Sequence, residues 1–82
     1  MPYINTEKRI NLADGMTPKD AGELNYSITT LLIDYIAVKK LNYQTINDIV
    51  GALEGAKLEF YRRIAAPYEN VKINQNGDVY CD

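Results

Sequence analysis

Five side chains of this chain have the chemistry to grip an anion: Lys57, Tyr61, Arg62, Arg63 and Tyr68. Arginine binds a carboxylate or phosphate through two parallel hydrogen bonds, and tyrosine stacks on a base. Together they suit a small anionic nucleotide. The competing reading places both arginines in a solvated last helical turn, where the dipole favours cations. Lys57 is the odder residue. At ~100° per residue it points among Ile46, Val50, Leu53 and Ile64, inside an apolar stripe. A buried, unpaired ammonium is costly, so this lysine must be paired, neutral or snorkelling. Glu54, three residues back, and Asp34, on the preceding helix, are its acidic options. A Schiff-base or general-base role lacks the acid–base partners it would need, and two roles stand for it. It is a packed lysine whose head reaches a carboxylate or water, or a cation at the floor of an anion pocket.

Catalytic and metal chemistry find little to work with. There is no histidine, which removes the commonest general base and metal ligand. The single cysteine, Cys81, has no internal partner for a disulfide, and that pattern fits a reducing compartment. Asp14, Asp20, Glu23 and Asp34 are scattered in sequence. Asn74-Gln75-Asn76-Gly77-Asp78 superficially resembles a calcium loop, but a hairpin turn explains it better. Neither a phosphate-binding glycine loop nor a nucleophile–base pair is present. The chain reads as non-enzymatic, without cofactor or metal.

A second set of residues points to surfaces. Gly51-Ala52 and Gly55-Ala56 repeat one turn apart in a helical segment. A helical glycine costs about 1 kcal/mol relative to alanine, so two of them need a reason. Close approach of another backbone is one, with the neighbour either inside the same subunit or the same helix of a second copy. Seven tyrosines with no tryptophan add amphipathic contact area. Tyr26 and Ile33 lie on a strip opposite the main apolar face of their helix, and they join the four small residues as interface candidates.

These residues need elements to hold them. Residues 1–16 read as an arm, with a short helix capped at Asn5-Thr6 and stopped by Asp14-Gly15. A helix over 17–40 is predicted from Thr17 as cap, Pro18 at its first position and Asp20 in its first turn. Its apolar set, Ala21, Leu24, Ile28, Leu31, Tyr35 and Val38, recurs every three or four residues. A helix over 43–66 follows, capped by Asn42. Ile46, Ile49, Val50, Leu53, Ala56, Phe60 and Ile64 form its stripe, and Pro67 ends it by disfavouring helical geometry at Ala66. The short connection at Leu41-Asn42 implies an antiparallel pair. Over 71–80, Asn76-Gly77 between β-prone residues predicts a small β-hairpin. The expected fold is mainly α: one small domain built as an antiparallel helical hairpin with an N-terminal arm and a C-terminal β-hairpin.

Size and charge bound the rest. Eighty-two residues bury only roughly 60–65% of their unfolded surface, so the core is marginal. Both helices are apolar on more than one face, and a symmetric homo-oligomer is the expected remedy. The net charge of −2 weighs against a broad nucleic-acid or anionic-membrane surface. No apolar run approaches the ~20 residues that span a bilayer. The charged start lacks the apolar core of a signal peptide. The expected location is cytoplasmic.

One stretch, NYQTINDIVGALEGAKLEFYRRIAAPYE, combines with NGDVY near the end and MPYI at the start. This combination resembles a family of small proteins of bacteria and their phages that carries a domain of unknown function. The resemblance covers nearly the whole chain. It implies a prokaryotic or phage origin and a free-standing small protein. It implies no activity and assigns no residue a role. The expected function is therefore a small interaction protein, on the phage reading an inhibitor or sequestering protein acting on a host component. Its partner is a host protein or a small anionic nucleotide. The alternative is a winged-helix nucleic-acid module, with Gly55 in a turn, 56–65 as recognition helix and 71–80 as wing. The weak cationic footprint counts against that alternative.

Overall fold

The computed structural model describes residues 4–80, and Cys81 lies outside them. The chain forms α1 (Thr6–Ala13), α2 (Ala21–Lys39), α3 (Tyr43–Phe60), a π-helical segment (Tyr61–Ala65) and α4 (Ala66–Asn76). It divides into two compact units, Met1–Ile46 and Asn47–Asp82.

In the first unit α1 packs on α2. Asn5 caps α1, its side-chain oxygen accepting from the Lys8 N–H at 2.8 Å. The helix ends at Asp14, and Gly15 follows at φ +95°, a backbone conformation that glycine adopts without penalty. The start of α2 differs from expectation. Asp20 is the cap, not Thr17, and the helix opens at Ala21. The reason is a pair of carboxylate caps resembling a capping box, with the return bond shifted to the residue before the cap. The Asp20 carboxylate accepts from the Glu23 N–H at 2.8 Å, and Glu23 accepts from the Lys19 N–H at 3.1 Å. A carboxylate at each end outcompetes the lone Thr17 hydroxyl. Glu23 is buried, and its second oxygen pairs with Lys8 Nζ of α1 at 3.1 Å. One side chain thus caps α2 and ties α1 to it. Ile4 and Leu12 are the buried apolar residues among those described. At the C-terminus of α2, Lys40 sits at φ +71°. Asn42 then caps α3, accepting from the Thr45 N–H at 2.9 Å.

The second unit is helical from Asn47 through Asn76. Two expectations fail here. The helix does not end at Ala66, and 71–80 holds no hairpin; no strand occurs among the described residues. Pro67 explains the first. It has no N–H to give the Arg63 carbonyl, and its ring would clash there in an α turn. The chain widens instead of stopping. The Ala66 N–H bonds back to the Tyr61 carbonyl, a π turn, and Pro67 sits at the start of α4, where a missing N–H costs little. Asn76-Gly77 explains the second. The positive φ that would have served a hairpin turn is used as a helix stop. Gly77 stands at φ +87° and its N–H bonds to the Ile73 carbonyl at 2.8 Å.

Candidate functional site

The five anion-binding candidates all project from the second unit's helix, and all are exposed. Arg62 and Arg63 converge on one carboxylate. The Arg62 guanidinium reaches Glu59 at 3.3 Å, and Arg63 Nε donates to the other oxygen of the same residue. Lys57 is engaged one turn earlier, with Nζ 3.7 Å from Glu54. Its side chain is 73% exposed, so the structure holds a paired, exposed lysine and not a buried one. Tyr61 turns its hydroxyl to Glu69, donating at 3.2 Å across the π segment. The Glu69 charge beside it, and then this hydrogen bond, hold the Tyr61 phenol above its ordinary value of 10.0. Tyr68 lies under Lys72, whose ammonium is 5.6 Å from the ring centre. The arrangement brings the arginines together but answers Lys57 and both arginines with a carboxylate on the same helix. An incoming anion would have to displace those partners.

The small residues are placed differently from what close packing in the subunit requires. A Cβ built on Gly51 or on Gly55 meets nothing within 4 Å. At ~100° per residue both glycines lie roughly 160° around the helix from Leu53, on the side away from the apolar stripe. Ala52 and Ala56 are exposed as well. On α2, Ile33 is exposed and Tyr26 half-buried.

What sequence reading missed is the length of the stripe. The spacing predicts it only as far as Ile64, with a stop at Pro67. The structure carries it on to Tyr68. Along Ile49, Leu53, Ala56, Phe60, Ile64 and Tyr68 the intervals are 4-3-4-4-4. A heptad seam needs 4-3-4-3-4. The one surplus residue lies between Phe60 and Tyr68, and the π segment Tyr61–Ala65 occupies that stretch. A π turn takes one residue more than an α turn, so the surplus is absorbed and the seam stays on one face. The 4-4 interval beside a proline was the signal available in the sequence.

This seam is uncovered. Phe60 is 61% exposed, Ile64 57% and Tyr68 63%. Single exposed apolar residues are ordinary, but a contiguous apolar face marks a contact surface. In the first unit a groove of about 460 Å³ is lined by Leu12, Met16, Pro18, Ser27, Thr30 and Asp34, among others. The Ser27 hydroxyl is buried there without a hydrogen-bond partner. Among the described residues no helix is long and apolar enough to cross a membrane.

Residues 1–79 match the family described as Domain of unknown function (DUF6899), and the chain belongs to that family. No curated protein and no solved structure matches it.

Proposed function

We propose that this member of the family is a non-enzymatic interaction protein that works by assembly, first with itself and then on a macromolecular partner. One observation carries the reading: the stripe along the second unit's helix is exposed from Val50 to Val71, with Leu53 40%, Phe60 61% and Val71 52% accessible. An isolated helix of this kind gains little from propensity alone; helices in proteins draw most of their stability from packing an apolar face. The stripe therefore calls for a covering surface. The resemblance to small bacterial and phage proteins directs the second step toward capture or inhibition of a host component. The winged-helix alternative needs a turn at Gly55 and a β wing. Among the described residues the helix runs through Gly55 and no strand follows. The cations suited to an anionic nucleotide are answered on their own helix, which favours a macromolecular partner over that small ligand.

Light scattering at micromolar concentration tests the reading. A multiple of the 9.3 kDa chain mass is expected. A monomer whose helical circular dichroism persists on dilution would refute it.

A further inference from the structure

Resting on that self-assembly, we infer that two copies pair through this seam in antiparallel orientation, Ala56 of each chain seating Phe60 of the other. Once the π segment removes its extra residue, the intervals from Ile49 to Tyr68 become 4-3-4-3-4 and read the same in both directions. A twofold contact is isologous: if residue i meets j, then j meets i. An antiparallel pair therefore forms three kinds of layer, Ile49 with Tyr68, Leu53 with Ile64 and Ala56 with Phe60, each made twice. Two of the three kinds are wholly apolar, and the third adds only the Tyr68 hydroxyl. The central layers match the smallest side chain of the seam to its bulkiest apolar one, the large-against-small filling that well-packed cores use. A parallel pair would set Ala56 against Ala56 and Phe60 against Phe60. The first leaves a void and the second overpacks.

Charge selects the same orientation. Before the centre, residues 47–57 carry Asp48 and Glu54 against Lys57, a net of −1. Beyond it, residues 59–70, which lie opposite 47–58 in the pair, carry Arg62 and Arg63 against Glu59 and Glu69, a net of 0. Antiparallel pairing sets Glu54 level with Arg63 and Asp48 level with Glu69, one opposite and one like pair, whereas parallel pairing sets every charged residue level with its own copy. Lys57 and Glu59, nearest the centre, each already hold an intrachain partner, so neither brings a bare charge to the contact.

The test uses spin labels on the full chain with Cys81→Ser. Asn47→Cys and Asn70→Cys are both exposed positions off the seam. In the antiparallel pair, position 47 of one chain lies level with position 70 of the other. Two labels at position 47 are then about 33 Å apart along the axis, from roughly 22 residues at 1.5 Å. A mixture of chains labelled at 47 and at 70 adds a shorter interchain distance, about 20 Å, the width of two packed helices. A short 47–47 distance without a short 47–70 distance overturns the antiparallel inference and leaves self-assembly standing. A monomer mass for the unlabelled chain overturns both.

Discussion

The two helical glycines give the sharpest separation between the faces of the second unit's helix. Neither Gly51 nor Gly55 has a positive φ, so alanine fits either backbone without strain. A Cβ at either position meets nothing within 4 Å, so alanine fits sterically too. Each Gly→Ala change then recovers the helix-propensity difference of about 1 kcal/mol. The double variant should gain about 2 kcal/mol, or roughly 8–16 °C in Tm for a chain of this size. The assay is thermal unfolding by circular dichroism, with light scattering on the same samples. Because both glycines face away from Leu53, pairing through the seam leaves the particle mass unchanged. Gly55→Leu should also keep that mass. A fall in Tm for either alanine variant would show that something covers the glycine face and needs the missing Cβ. Loss of assembly in Gly55→Leu would make that face the contact and refute the seam.

Three further outcomes follow from the geometry. Lys40→Gly removes a non-glycine residue from φ +71°, where strain of about 1–3 kcal/mol exceeds the flexibility that glycine adds to the unfolded chain; the urea midpoint should rise at constant slope, and an unchanged midpoint counts against the strain. Lys8 is held above its ordinary 10.5 by its hydrogen bond to Glu23 and then by that carboxylate's charge, and Tyr61 above 10.0 by Glu69. Both raised values mean stability that is full below about pH 10 and is lost as pH climbs through the folded-state values. Glu23→Gln should remove the Lys8 part of that high-pH loss and Glu69→Gln the Tyr61 part; urea titrations at pH 8 and 11 that change equally in wild type and variants contradict this. Phe60→Asp sets an unpaired carboxylate in the central layer, at a cost of about 3 kcal/mol or more, and should weaken self-association over a hundredfold; assembly measured by sedimentation that survives it excludes Phe60 from the contact.

Much of the fold was legible because short-range chemistry decided it. Asn5 and Asn42 cap their helices by offering a side-chain oxygen to an N–H three residues on, and that spacing is visible in sequence. The start of α2 was misread because two cap signals overlap within four residues, and the choice fell to Glu23, whose burial against Lys8 is a tertiary fact. The C-terminal segment was misread for a different reason. Asn-Gly offers positive φ equally to a hairpin turn and to a helix end. Which of them uses it depends on whether the helix survives Pro67, and no local propensity carries that information. For the anion candidates, spacing made both the cations and the Glu54 partner of Lys57 legible, and Glu59, three and four residues from the two arginines, was the answer left unread.

Pro67 is where fold and proposed contact meet, and it yields the last prediction. With Pro67→Ala the N–H at position 67 is restored and the clash with the Arg63 carbonyl is gone. The reason for the π segment disappears, and the helix should close to α geometry and gain stability. Closing it returns one surplus residue to the seam. Everything beyond Phe60 then rotates by roughly 100°, one residue's turn. Tyr68 leaves the face that Leu53 and Phe60 share, and its layer with Ile49 is lost. The variant should therefore be more helical and melt higher at low concentration, yet self-associate more weakly. Circular dichroism reads the first effect and a dilution series by light scattering the second. A variant that gains helicity and also assembles as tightly as wild type would show that the contact ends before Tyr68 and that the π segment serves only to accommodate the proline.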